Sequence, residues 1–122
     1  MEKIEHKELS LSVDVDRADV LMGTRHTILV SQGFAEADEK EELAIRLVRL
    51  YTYPACIAAT AKRKGFSEWP ISFEDFCKLP EEFVVEWERS AYRQNPHWMP
   101  KLPESEEETE VKNVPEESAS SS

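Results

Sequence analysis

The apolar residues of this 122-residue chain are concentrated in its first 98 positions. The segment that follows is rich in Glu, Ser and Pro, and its apolar residues are Met99, Leu102, Val111, Val114 and Ala119. A segment of this composition cannot bury enough apolar area to offset the entropy of ordering its backbone. We therefore predict one small folded domain at residues 1–98, long enough for a single core, and a disordered acidic tail at residues 99–122.

The chain is strongly acidic. Its net charge is −10 at pH 7, and the seven Glu and two Lys of the tail account for half of that charge. This balance repels nucleic acids and anionic membrane surfaces, so we expect neither as a partner. The sequence has no apolar run long enough to span a membrane, and its charged N-terminus does not resemble a secretory signal. The acidic tail is either simply solvated or steers a basic protein partner, and both alternatives stay open.

A short β element is predicted near the N-terminus. Apolar and polar residues alternate from Leu9 to Val15, which is typical of a strand with one buried face. Residues 3–7 can extend it. A single strand is not stable alone, so it must pair with another strand of this chain or with a second copy. The segment Thr27–Ser31 also has strand-like composition.

The rest of the domain is predicted to be helical, with helices near residues 17–32, 39–64, 73–78 and 81–94. In the first of these, capped by Asp16 and stopped by Gly33, one face carries Val20, Leu21, Thr24, Ile28 and Ser31. The predicted fold class is therefore mainly α, a small helical domain with one short N-terminal β element and a disordered acidic tail.

The second predicted helix begins at an Asp38 cap, kinks at Pro54 and ends at Lys62-Arg63-Lys64, where cations would complement the helix dipole. Ser72 is predicted to cap the third helix, and the last runs from Pro80 to Asn95-Pro96. The residues predicted to be buried are Leu43, Leu47, Leu50, Tyr51, Phe83 and Trp87. If Leu47 is fully buried, Leu47→Ala should cost about 2–5 kcal/mol.

No catalytic or cofactor-binding motif is visible. His6, His26 and His97 lack the spacing of metal ligands, and Cys56 and Cys77 do not form a CxxC pair. We expect two buried thiols, with a disulfide as the alternative. The paired acids at the starts of predicted helices are explained by helix capping. The expectation is a protein that is not an enzyme and uses no metal or cofactor.

Aromatic residues in the second half of the domain are the candidate partner-binding groups. Trp69, Tyr92 and Trp98 are proposed for this role, whereas Trp87 is assigned to the core. Trp98 follows a proline turn at the edge of the predicted domain. It either clamps the last helix or is an exposed anchor for a partner, and the sequence leaves both open.

Several short motifs, taken in order, suggest a family. They are the Tyr-Pro break at residues 50–56, the segment Trp69–Phe76, the Leu-Pro-Glu-Glu-Phe run at 79–83, Trp87, and Asn95-Pro96-His97-Trp98. Across residues 7–98 this pattern resembles the tail assembly chaperones of long-tailed bacteriophages, in the short form made before a translational frameshift.

The resemblance implies a helical, non-enzymatic protein that binds and solubilises the tape measure protein during tail assembly. It also implies self-association along that partner and, through a frameshifted longer form, contact with the tail tube protein. The expected location is the host cytoplasm, with the protein absent from the mature virion. The alternative interpretation is a small virion adaptor, or connector, with the tail as a tether.

Overall fold

The computed structural model describes residues 1–99, and more than half of them are helical, which confirms the mainly helical fold class. The acidic tail was predicted at residues 99–122, and all of it after Met99 lies outside the described residues. In chain order the elements are β1 (Glu2–His6), β2 (Leu11–Val15), α1 (Val20–Glu36), α2 (Leu43–Leu47), a π-helical turn (Val48–Thr52), α3 (Tyr53–Ala59), β3 (Thr60–Lys64), α4 (Phe73–Phe76), α5 (Glu81–Gln94) and a 3-10 turn (Pro96–Trp98). None of the helices within residues 1–99 combines the length and the apolar character that a membrane span requires.

The β element is a three-stranded antiparallel sheet in the order β1-β2-β3. The predicted strand Leu9–Val15 begins at Leu11 and is the central strand, paired on both sides within this chain. Its alternation is as predicted, since Leu11, Val13 and Val15 face the core. The residues expected to extend it form the separate strand β1, and the strand-like segment Thr27–Ser31 is part of α1.

The prediction that Lys62-Arg63-Lys64 closes a long helix is wrong, because these residues form β3. The helix stops at Ala59, and the extended backbone of Thr60 starts the strand. The Thr60 hydroxyl donates to the carbonyl oxygen of Cys56 at 2.7 Å and accepts from the Trp87 indole at 3.0 Å. Pairing with β2 satisfies one side of the backbone of this segment, and tertiary context therefore overrides its local helix pattern.

The start of the second helix also differs from the prediction. Asp38 caps only a turn, and the helix begins at Leu43. Leu43 and Leu47, predicted to be buried, are 63% and 44% exposed, so the large cost predicted for Leu47→Ala does not apply. Leu50 and Tyr51 are half-buried. A π-helical turn precedes Pro54, which lies in the first turn of α3, where a missing N–H is tolerated.

The first helix is capped by Asp19 rather than Asp16, and it continues past Gly33 to Glu36. Gly33 does not end the helix, and instead it allows α1 to pack closely against another segment of the chain. A Cβ at this position would lie 2.8 Å from the carbonyl oxygen of Arg49, so only a glycine lets α1 contact the π-helical turn this closely.

The core lies between the sheet, α3 and α5. Trp87 is its centre, fully buried among Phe66, Trp69, Phe76 and Phe83 at ring-centroid distances of 5.6–6.3 Å. The burial predicted for Phe83 and Trp87 is confirmed. Helix α5 has the predicted bounds, and Ser72 caps α4 as expected by accepting from the Asp75 N–H.

Candidate partner-binding surface

Helix α1 presents an apolar face that no other described element covers. Val20 and Leu21 are 85% and 78% exposed, Ile28 is 51% exposed, and Phe34 is exposed further along. Leu21 and Ile28 lie two turns apart and therefore on the same side of the helix. Gly33 is the single fully buried residue of these 17 residues. The exposed surface of α1 thus includes several large apolar side chains whose removal from water is favourable.

A groove of about 770 Å³ runs between this face and the segment 68–72. Leu21, Ile28 and Leu29 form one wall, and Pro70 and Ile71 belong to the other. Arg25 and Glu68 add one charge of each sign. A mostly apolar groove with a few charged groups has the composition expected for an amphipathic helix or an apolar side chain to bind.

The opposite side of α1 holds the helix to the domain. Gly33 contacts the π-helical turn, Leu29 packs against the core, and the His26 ring stacks on Trp98 with centroids 4.1 Å apart and planes 3° apart. Just before the helix, the Ala18 N–H donates to the side chain of Asn95 at 2.9 Å. These contacts position α1 with its apolar face outward.

Trp98 is the predicted binding residue that contacts α1. It is half-buried, and its stack on His26 joins the C-terminal turn to the first helix rather than clamping α5 alone. Burial lowers the pKa of His26, with the nearby His97 adding to the effect, and this favours the neutral form of the stacked ring. The surroundings of Trp98 therefore combine features of both predicted roles, because the ring is stacked on another residue and is also partly exposed.

Trp69 lies at the edge of the aromatic core. Its ring stacks near Trp87 at 6.3 Å, packs edge-on against Phe66 at 5.4 Å, and carries the Arg63 guanidinium 4.9 Å from its centroid. It is half-buried. Most of this ring is used in packing, which leaves a limited area for a partner.

Tyr92 is 9% exposed, and its hydroxyl donates to the carbonyl oxygen of Tyr51 at 2.6 Å. Burial raises the pKa of this phenol, with Glu88 adding to the shift. Tyr92 lines a second groove of about 490 Å³ together with Tyr51, Arg93 and the exposed Met99. The three predicted rings thus pack against different neighbours.

The cysteines offer no activated nucleophile. Cys56 is buried as expected, but Cys77 is exposed, which corrects the prediction of two buried thiols. Both are free, and burial, complete for Cys56 and partial for Cys77, raises the pKa of each thiol. A raised pKa disfavours the reactive thiolate. Within residues 1–99, no three His, Cys, Asp or Glu side chains converge as a metal site would require.

The α1 face was not predicted as a binding surface, although the sequence pattern places Val20, Leu21 and Ile28 on one side of a helix. The pattern that indicates a core-facing helix is also the pattern of an interface helix. The available indication was the low number of charged residues in α1, which are Arg25 in its second turn and Glu36 at its end. No known protein family, curated protein or solved structure gives a match to this chain.

Proposed function

We propose that this protein is a non-enzymatic assembly chaperone that binds an apolar helical segment of a partner through α1 and keeps the partner soluble. The observation that carries the proposal is the exposed face of α1 with its adjoining groove. Together with the motif resemblance, it favours the tape measure protein of a long-tailed phage as the partner. A long helical protein of that kind has an apolar stripe that aggregates unless it is covered.

The recognition step is helix-in-groove packing. Leu21 and Ile28 are spaced i and i+7, the spacing of anchor residues in such contacts. Burying their exposed area stabilises a complex by about 25 cal/mol per Å² before the entropy of association is subtracted. A single groove of this size therefore supports weak, reversible binding, which suits a chaperone that must later be displaced.

Several copies bound along one partner would give a long-lived coat. Repeated weak contacts on one filament gain avidity without any new contact surface. The proposal therefore includes self-association on the partner, and a longer frameshifted form that contacts the tail tube protein. The chaperone would act in the host cytoplasm and leave before the virion matures.

The test is co-expression of the full chain with the tape measure protein of the same phage, followed by measurement of soluble and co-purified partner. The variant Leu21→Gln with Ile28→Gln should reduce soluble partner severalfold. The matched control is Leu43→Gln with Leu47→Gln, which replaces two exposed leucines of α2 and should leave capture unchanged. Gln keeps helix propensity close to that of Leu, so both double variants should fold.

Two further variants test whether the acidic tail and Trp98 contribute to capture of the partner. Removing residues 101–122 should leave capture largely intact, because the apolar face belongs to the domain. Trp98→Ala should weaken capture if the ring contacts the partner directly. If the full chain stays monomeric at high concentration and leaves the tape measure protein insoluble, the chaperone proposal is wrong and the connector interpretation replaces it.

A further inference from the structure

The outer edge of the sheet concentrates positive charge in an otherwise acidic protein. Within residues 1–99, β3 has β2 as its only neighbouring strand, so one side of its backbone faces outward. It carries Lys62, Arg63 and Lys64, all exposed, and Lys3 lies on the same sheet surface. None of these four cations forms an ion pair with another described residue, as the ion pairs of residues 1–99 all involve other cations.

The register divides these cations between the two faces of the sheet. Lys62 and Lys64 lie opposite Asp14 and Ser12, on the face that turns away from the core. Arg63 lies opposite the buried Val13, on the other face, where its guanidinium sits over Trp69. An extended segment pairing with this edge would meet Lys, Arg and Lys on alternating sides.

The acidic part of the C-terminal segment has the complementary pattern. Glu104, Glu106, Glu108 and Glu110 recur at every second residue, and Glu107 falls between them. In an extended backbone the first four side chains would point to one side and Glu107 to the other. Thr109 and Val111 add residues with strand preference.

The end of α5 lies close to the start of β3. Asn95 donates a hydrogen bond to the carbonyl oxygen of Asp16 at 3.2 Å, and the Asp16 N–H donates to the carbonyl oxygen of Ala59 at 3.0 Å. Ala59 directly precedes β3. Eight residues separate Asn95 from Glu104, and four extended residues alone span roughly 13 Å, so this length of chain allows Glu104 to reach the first residue of the strand.

We propose that residues 104–111 bind the open edge of β3 in the same molecule, as an added strand whose glutamates face Lys62, Lys64 and Arg63. The composition of the tail predicts no fold of its own. Strand addition would supply the backbone hydrogen bonds and opposite charges that the tail lacks by itself. The proposal concerns a different surface from α1 and does not depend on the proposed chaperone function.

The test is amide hydrogen exchange, measured by NMR on the full chain. Every second amide of an edge strand points away from its neighbour, so the outward amides of β3 are protected only if another strand pairs there. Glu106→Gln with Glu108→Gln should speed their exchange by roughly two- to thirtyfold, because two cross-strand charge pairs are lost. The matched control, Glu116→Gln with Glu117→Gln, removes the same charge further along the tail. It should leave the exchange rates of the outward β3 amides unchanged.

A charge swap makes the test specific. Lys62→Glu with Lys64→Glu should also speed exchange of the outward β3 amides. Adding Glu106→Lys with Glu108→Lys should restore the protection of these amides. Lys62 and Lys64 are exposed, and Glu106 and Glu108 lie outside the described residues, so the fold of residues 1–99 should persist. Outward amides that exchange equally fast in the unmodified chain and in the Gln variant would overturn the proposal, as would protection that rises with protein concentration.

Discussion

Helices α1 and α5 are the two longest of the described part, and their burial is the reverse of what their compositions suggest. Helix α5 holds six charged residues in 14, yet it buries Phe83, Trp87, Ser90, Ala91 and Tyr92. Helix α1 has Arg25 and Glu36 as its charged residues, yet it buries only Gly33. A helix needs just one apolar stripe to join a core. Packing within residues 1–99 therefore accounts for the composition of α5 but not for that of the more apolar α1, and the proposed partner would account for the latter.

The largest loss of stability is expected for a substitution in α5. Trp87→Ala should lower the free energy of unfolding by about 3–5 kcal/mol, because it empties the centre of the aromatic core. It also leaves the Thr60 hydroxyl without its indole donor. Urea denaturation of the two proteins measures the difference. A loss below about 1 kcal/mol would show that α5 is not the main source of core packing.

Asn95 should give the next largest effect, since it holds the end of α5 against the segment that leads into α1. Its buried side chain accepts from the Ala18 N–H and donates to the carbonyl oxygens of Asp16 and Ala91. Asn95→Ala should cost about 1–3 kcal/mol, because buried polar groups lose their partners. The exposed neighbour His97 provides the control, and His97→Ala should be close to neutral. Equal stabilities for the two variants would contradict this role of Asn95.

The His26 stack predicts a smaller, pH-dependent effect on α1. Burial lowers the pKa of His26 from its ordinary value of 6.5, so the unfolded chain takes up a proton before the folded one. The stability that this group contributes is present above pH 6.5 and is lost as pH falls through the folded pKa. Thermal unfolding between pH 7.5 and 5.5 should show this loss.

Two variants isolate that effect. His26→Gln should flatten the dependence of thermal stability on pH. An unchanged dependence would exclude His26 as its source. Trp98→Ala should cost about 0.5–1.5 kcal/mol through the lost stacking alone, and it should also reduce the slope, because His26 becomes more solvated.

The smallest expected effect on stability is that of Leu21→Gln combined with Ile28→Gln. Both side chains are more than half exposed, and surface substitutions of this kind usually change the free energy of unfolding by less than about 0.5 kcal/mol each. Urea denaturation of the isolated chain should show this near-neutrality. A loss above about 2 kcal/mol would mean that the α1 face is already covered in the free protein.

Local patterns predicted the fold well where capping and periodicity agreed. The bounds of α5, the Ser72 cap of α4 and the inward-facing alternation of β2 are all as expected. Prediction failed where a segment's local pattern was compatible with two structures. Lys62-Arg63-Lys64 suits a helix terminus as well as an edge strand, and its pairing with β2 depends on residues about 50 positions away.

The three rings predicted to bind a partner lie in different surroundings. Of Trp69, Tyr92 and Trp98, the last contacts α1, while the first packs in the aromatic core and the second hydrogen-bonds to Tyr51. The exposed leucines of α2 were predicted to be buried for the same reason that the α1 face was missed. An apolar stripe shows that a helix face avoids water, but not whether the chain itself or another protein covers it.

The sequence by itself determined the acidic balance, the mainly helical domain, the amphipathic α5 and the inward face of β2, because these follow from composition and from periodicities of two and 3.6 residues. Only the tertiary structure decided that β3 exists, that Leu43 and Leu47 face outward, and that α1 keeps its apolar face uncovered within residues 1–99. Those outcomes depend on which surfaces meet. That choice is made by packing around Trp87, by the close approach at Gly33 and by the hydrogen bonds of Asn95, between groups far apart along the chain.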